Sequence, residues 1–215
     1  MIDKKSFNSA KKNMAYDETL IKQLHSRKIK HFYRFYQWKN RGLTQAKNKT
    51  IPPEFLTIDN AYRITGGGLV FHCPEDIVFS IGNAIHHTIL PKSIKKRCEW
   101  ISKFLCECLI QLNLPVKSIG NILFNNQDIN FCSSYHNPYE ITLETNKVIA
   151  ISVKKTKDWI VFQGVIHMSS THEYFNDYSC TYKPYFTTGI NQNFSVNSVD
   201  IINVIFTQLK LQKLL

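Results

Sequence analysis

Several things are scarce or missing in these 215 residues. No apolar run approaches the roughly 18–20 residues needed to cross a bilayer, so membrane insertion is not expected. The amino terminus, Met1-Ile2-Asp3-Lys4-Lys5, lacks the apolar core of a secretory signal, which makes a cytoplasmic location the default expectation. The six cysteines contain no C-x-x-C pair. Cys106 and Cys108 fall two apart in a helical pattern and point away from each other, so the spacing of structural zinc is absent. In a reducing compartment these are free thiols, and one of them is a candidate nucleophile. His86-His87, His167 and His172 have no ligating partner at helical spacing, and no metal is expected. Internal repeats and low-complexity segments are missing too. Acidic residues are few, 16 against 27 Lys and Arg, for a formal net charge of +11.

What is present excludes a disordered basic tail: 43% hydrophobic and 13% aromatic residues can bury a core. The length suits one domain. Residues 1–50 hold 13 Lys and Arg against three Asp and Glu, while the other 165 residues hold 14 against 13. The chain is therefore close to neutral with one basic end, suited to nucleic acid, an anionic surface or an acidic protein.

Local patterning predicts mixed secondary structure. Asp17 and Glu18 ahead of Leu20, Ile21 and Leu24 read as a short amphipathic helix with acids in its first turn. His31 to Trp38 is an aromatic strand. Lys39, Arg41, Lys47 and Lys49 lie in what reads as a basic loop reaching Pro52-Pro53. A glycine loop, Gly66-Gly67-Gly68, is followed by two strands, Leu69 to His72 and Ile77 to Phe79. Ile94, Cys98, Ile101, Leu105, Cys108, Leu109 and Leu112 recur at helical spacing between Pro91 and Pro115, predicting a helix from Ser93 to about Asn113. Short strands are expected at 119–124, 129–133, 139–143, 147–153 and 159–168, then a helix at 198–211. Strands in runs broken by a few helices indicate α+β with a mainly antiparallel sheet.

Three consecutive glycines cost backbone entropy and admit either a flexible turn or a ligand lying against bare backbone. No Gly-Lys-Ser/Thr follows them, so they are not a P-loop. Arg63 upstream and His72 downstream would converge with them on one cleft if the segment forms a hairpin. Lys147 opens an apolar stretch and reads as a strand end with its ammonium in water, or as a site residue. Cys132 reads as a buried thiol, unless it lies beside Lys147, whose charge would favour the thiolate.

Together these segments resemble the lipoate/octanoate branch of the biotin/lipoate protein ligase superfamily almost end to end. Tyr62-Arg63-Ile64-Thr65-Gly66-Gly67-Gly68-Leu69-Val70-Phe71-His72 is similar to the family's R-R-x-S/T-G-G-G/R-x-V-x-H. Met14-Ala15-Tyr16-Asp17-Glu18 is similar to M-A-x-D-E, and Phe32 to Trp38 to its L-R-F-Y-x-W. The family's lysine is followed seventeen residues later by a glycine, as Lys147 is by Gly164. One transferase group of the family carries C-F followed by Y-E, with the tyrosine seven residues after the cysteine. Cys132 and Tyr139-Glu140 keep that register. Departures are Tyr62 for the first arginine, Gln163 for the histidine before the glycine, Ile149-Ala150-Ile151-Ser152 for S-G-S-A, and Ala46 and Lys49 in the S-L-G-x-x-Q loop. Gly68 follows the ligase form of the triple glycine, where the cysteine transferases often have arginine.

The resemblance implies the biotin/lipoate protein ligase catalytic fold, a mainly antiparallel mixed sheet flanked by helices, as a single domain over 1–215 without a carboxy-terminal accessory domain. It implies an octanoyl or lipoyl transferase with Cys132 and Lys147 catalytic. Arg63, Thr65, Gly66, Gly67, Gly68, His72 and Gly164 would bind the acyl chain, with walls from Val148 to Val153. The acyl group would come from acyl carrier protein or H protein and pass to a lysine of a lipoyl domain or H protein, with a monomer and no cofactor expected. The alternative is an ATP-dependent lipoate-protein ligase, needing ATP and magnesium, with Lys147 gripping the acyl-adenylate. Aromatics among basic residues at 32–38 also suit base stacking. The family's buried strand accounts for them, and no nucleic-acid partner is expected.

Overall fold

The computed structural model describes residues 2–3, 7–87, 90–91, 93–119, 137–169 and 187–212. Two short strands, β1 (Ile2–Asp3) and β2 (Phe7–Asn8), precede helix α1 (Ala10–His25). Strand β3 (His31–Trp38) has the predicted bounds. Next come β4 (Gly42–Ala46), β5 (Asp59–Arg63) and β6 (Val70–His72), which form their own sheet in the order β5-β4-β6. Then follow β7 (Ile77–Ala84), α2 (Ile94–Ile110), β8 (Val116–Ser118), β9 (Ile141–Leu143), β10 (Asn146–Lys155), β11 (Trp159–Ile166) and α3 (Ser198–Leu211). The main sheet runs β1-β3-β7-β11-β10-β9-β8, with β2 also on β3, and its pairings from β3 to β8 are all antiparallel. This is the expected α+β architecture.

Period-2 alternation divides the sheet into two chemically different faces. Phe35, Phe79, Ile149 and Phe162 share one face with Ile101 and Leu105 of α2 and Ile201 and Ile205 of α3, in the largest hydrophobic cluster among the described residues. The helices end where the sequence tells them to. Ser93 caps α2 by accepting from the amide of Lys96 at 3.2 Å, and Asn197 caps α3 through the amide of Asp200 at 2.9 Å. Beyond α2, Asn113 takes the left-handed conformation, and Pro115 follows.

The opposite face carries Tyr36, Val78, Ala150 and Val165 and is covered by Met14 of α1 and Ala61 of the small sheet. Here the structure departs from the sequence reading. Helix α1 begins at Ala10, seven residues before Asp17, so the acids sit mid-helix and Asp17 is buried. The supposed basic loop contains β4, every residue of which is buried between β5 and β6. Strand β8 occupies Val116–Ser118, ahead of the segment expected at 119–124. The expected strand at 129–133 lies outside the described residues.

Candidate functional site

The second face of the sheet is polar at its centre. Strand parity puts Arg34, Ser80, Gln163 and Ser152 in one row across β3, β7, β11 and β10. Buried charge in such a place requires partners. Arg34 finds them on α1: its Nη1 meets Asp17 Oδ1 at 2.6 Å, and its Nη2 donates to Asn13 Oδ1 at 2.7 Å. The guanidinium lies 3.7 Å above the Tyr36 ring and 4.6 Å from that of Tyr16. Burial pushes the Asp17 carboxyl upward against the pull of Arg34. The Gln163 amide donates to Asp17 Oδ2 at 2.7 Å, and its oxygen accepts from the Thr65 hydroxyl at 2.9 Å. Thr65 also meets the Ser152 hydroxyl at 2.8 Å. One chain of bonds thus runs from α1 through the sheet to the glycine loop. Gln163, standing where the family pattern has histidine, gives the junction no group that titrates near neutral pH.

The glycine loop is held from below by Arg63. Its Nη2 donates to the carbonyls of Gly66 and Gly68, at 2.8 and 2.6 Å, and its Nη1 to that of Thr44 at 3.0 Å. A cation aimed at three carbonyls fixes the loop, which is a sharper role than the lining role expected of Arg63. Gly67 has φ 98°, a conformation that L side chains resist, and a Cβ on Gly66 would meet open space. The triple glycine is therefore a braced turn with one open backbone face. His72 on β6 stacks on Trp38, with ring centroids 4.4 Å apart, and its Nε2 lies 3.0 Å from Thr44 Oγ1. Burial, helped by His167 and Arg63, holds its imidazole well below the usual histidine range, so it is neutral at pH 7.

Between α1, the small sheet and the main sheet lies an open pocket, about 380 Å³ with its solvent-filled mouth counted in. Met14, Tyr36, Val70, Val78, Ala150 and Val165 make its wall largely apolar, and Arg63, His72 and Gly164 also line it. The wall suits an alkyl chain rather than a phosphate. Gly164 contributes backbone only. A Cβ there would point to the helix side of the sheet, 2.3 Å from Phe79 Cζ, and would lie 2.5 Å from the Ala150 carbonyl.

Lys147 is placed by an irregularity the sequence does not announce. In β10 the pairs Lys147 with Thr142 and Ile149 with Ile141 leave Val148 as an extra residue. Strict alternation from Ile149 and Ile151 would aim Lys147 into the helix-side core. The bulge at Val148 turns it to the opposite face, shared with Thr142, Ala150 and Ser152. The reading of Lys147 as a strand end in water is thereby corrected: the side chain is 0% exposed, and its Nζ lies 2.9 Å from Oε1 of an equally buried Glu140. Burial raises the Glu140 carboxyl against the pull of Lys147. His167, just past β11, interacts electrostatically with both Glu140 and His72, and its Nδ1 lies 3.4 Å from Asp76 Oδ2. Asp76 is anchored by the amides of Cys73, Met168 and Ser169.

Of the residues expected to bind an acyl chain, Arg63, His72 and Gly164 line this cavity; Thr65 joins its lining through Gln163 and Ser152, and Gly66 and Gly68 are tied to Arg63. Cys132 lies outside the described residues. Glu140 entered the sequence reading only as part of the Tyr139-Glu140 register, and Asp17 only as part of a helix start and the M-A-x-D-E match. The buried partner of each had no local signal. Among the described residues, no group of three or more His, Cys, Asp or Glu is arranged to hold a metal ion.

The family model for the lipoyl protein ligase A/B catalytic domain matches residues 9–206. No curated protein matches the sequence. Protein Ta0514 of T. acidophilum, solved with bound lipoic acid, superposes with a TM-score of 0.74 at 14% identity, over 97% of this chain and 83% of that one. Lipoate-protein ligase A bound with ATP gives 0.69 at 15%, over 97% and 84%. The bi-partite lipoate protein ligase of T. acidophilum, studied with its E2 lipoyl domain, gives 0.66 at 14%, over 97% and 80%. At such identities the likeness to these structures is one of fold.

Proposed function

Because the chain belongs to the lipoyl protein ligase A/B catalytic-domain family, we propose that it is an octanoyl or lipoyl transferase of protein lipoylation working through an acyl-Cys132 thioester. The observation that carries this reading is the buried Lys147–Glu140 pair, its lysine on the sheet face that also lines an apolar cavity. A lysine that grips the phosphate of an acyl-adenylate is best served by cationic surroundings. Here a carboxylate faces its ammonium at 2.9 Å, and the Arg63 guanidinium is directed at backbone carbonyls. Both suit a reaction in which no polyphosphate has to be neutralised.

In the proposed reaction the Cys132 thiolate attacks the thioester of an acylated carrier protein. A bond forms between Cys132 sulfur and the acyl carbon, the carbon–sulfur bond to the carrier breaks, and the proton given up by Cys132 ends on the departing carrier thiolate. In the second half, a lysine amine of a lipoyl domain or H protein forms the amide, and Cys132 leaves as thiolate while the amine's proton is released. The thioester is already activated, so no ATP is consumed. Lys147 favours the thiolate and stabilises the oxyanion. The cavity takes the acyl chain along Val78, Ala150 and Val165. Arg63, which lines the cavity, also fixes the loop through Gly66 and Gly68.

Gly68 keeps a second reading in view, that of an ATP-dependent ligase with magnesium and Cys132 incidental. Intact mass after incubation with octanoyl-acyl carrier protein separates the two. One octanoyl group should add to the protein and be absent from Cys132→Ser. No adduct, together with lipoylation of a lipoyl domain from free lipoate and ATP, would establish the ligase instead.

A further inference from the structure

We infer that His167, oriented by Asp76, is a catalytic residue that accepts the proton given up by the acceptor lysine as the amide forms. The inference rests on the acyl-transfer reading, and within it on the amine-attack step that a transferase and a ligase share. That step needs a base, because an amine that has attacked an acyl carbon must lose a proton to become an amide. Lys147, as an ammonium, has no lone pair to take it, and the Glu140 carboxylate is engaged by that ammonium at 2.9 Å.

The sheet register brings a histidine to the place. Val165 pairs with Ala150 on the cavity face, and His167, two residues further, returns to that face, its amide donating to the Val148 carbonyl at 2.8 Å. Lys147 reaches the same face through the bulge. The two side chains therefore stand on neighbouring strands, whose backbones run about 4.8 Å apart. On the other side of His167, the end of β11 lies beside the start of β7, where Ile166 pairs with Ile77 and Asp76 comes next. Asp76 Oδ1 accepts from the amides of Met168 and Ser169 at 2.8 and 3.3 Å, and Oδ2 from that of Cys73 at 2.9 Å. So fixed, the carboxylate meets His167 Nδ1 at 3.4 Å. A carboxylate can only accept, so Nδ1 carries the ring proton and Nε2 presents a lone pair. The His167 side chain is 4% exposed, against 0% for Lys147, Glu140 and Asp76, so of these four it has the surface that an incoming amine can meet. In the step, the uncharged amine nitrogen bonds to the acyl carbon, and the bond from that carbon to the donor's sulfur or phosphate oxygen breaks, its electron pair leaving with the donor. The nitrogen's proton passes to Nε2 and from there to solvent. Asp76 favours the imidazolium so formed, as does Glu140, which interacts electrostatically with His167, while His72 is neutral.

The test sets two acceptors against each other, both drawing on octanoyl-acyl carrier protein. A lipoyl domain offers a lysine amine, whereas hydroxylamine, a weakly basic and strongly nucleophilic amine, needs far less help from a base. In His167→Gln, the rate of octanoyl transfer to the lipoyl domain divided by the rate to hydroxylamine should fall about a hundredfold, with KM for the lipoyl domain unchanged. A purely structural role for His167 would lower both rates together. A ratio within about threefold of the wild-type value therefore overturns the inference and leaves the acyltransferase reading standing. Asp76→Asn keeps an oxygen for the backbone amides but can donate to His167 and select the wrong tautomer, and it should lower the ratio about tenfold or more. Should His167→Gln not fold, Asp76→Asn decides, and a wild-type ratio overturns the inference. If the wild-type protein transfers nothing from octanoyl-acyl carrier protein yet acylates both acceptors from lipoate and ATP, the transferase reading fails. The same ratio measured with that donor then decides the role of His167.

Discussion

Gly164 separates packing from substrate binding, because its missing side chain and the cavity lie on opposite sides of the strand. Gly164 pairs with Ile151 on β10 and Phe79 on β7, both in the helix-side core. In Gly164→Ala the new Cβ would sit 2.3 Å from Phe79 Cζ and 2.5 Å from the Ala150 carbonyl, well inside contact distance. The ring can turn, but the carbonyl belongs to the neighbouring strand and moves only with the sheet. Overpacking of this kind costs about 1–3 kcal/mol, and the backbone contact puts this case near the top of the range. For a domain of this size, about 3 kcal/mol corresponds to a fall in Tm of roughly 6–12 °C. Chemical denaturation of Gly164→Ala, Phe79→Leu and the double variant measures it. The double variant should be less destabilised than the sum of the single changes, by about 1 kcal/mol, because removing the ring edge relieves one of the two clashes. Preference for acyl chain length should stay the same. A stable Gly164→Ala protein with shifted chain-length preference would show that the substitution points into the cavity, and the assignment of the two faces would be wrong.

Two further outcomes follow from charge. His72 is held neutral in the fold but binds a proton near the ordinary histidine value of about 6.5 when unfolded, so the unfolded state carries the extra proton below that pH. Stability should therefore fall as pH falls, by about 1.4 kcal/mol between pH 7.5 and 5.5 from this group alone. Urea unfolding should show His72→Gln lacking that part of the slope, and an unchanged slope would refute the assignment. Reversing exposed Lys11, Lys12, Lys22 and Lys28 to Glu should raise KM for carrier proteins about tenfold at low salt and much less at high salt, while leaving turnover of octanoyl-coenzyme A unaltered. An unchanged KM would show that the basic end, which also suits nucleic acid or an anionic surface, does not dock acidic carriers.

Much of the frame was legible before any coordinates. Helix α2 and helix α3 announce themselves through apolar spacing and through Ser93 and Asn197 at their starts. Strand β3 announces itself through alternating bulk. The start of helix α1 is hidden in the sequence because Ala10-Lys11-Lys12-Asn13 is largely polar. In the fold, Asn13 and Asp17 are buried because Arg34 meets them from the sheet. Strand β4 reads as a loop because Gly42 to Ala46 shows no alternation, and a strand buried on both faces has no solvent side to alternate toward.

The motif around Arg63, the glycines and His72 told where a site is, and by itself the sequence determined its ingredients: a glycine loop, one basic end, a lysine at the head of an apolar strand. Their arrangement was open until the chain closed on itself. Only the sheet register decided that Arg63 braces the loop, that the side-chain position of Gly164 serves the helix-side core, and that one extra residue at Val148 turns Lys147 from the hydrocarbon side to the polar one. Alternation along a strand is a local property that residues declare on their own. A bulge, and the buried carboxylate that meets the lysine it redirects, exist only between strands, and the energy of that meeting is set by burial that no single segment can supply.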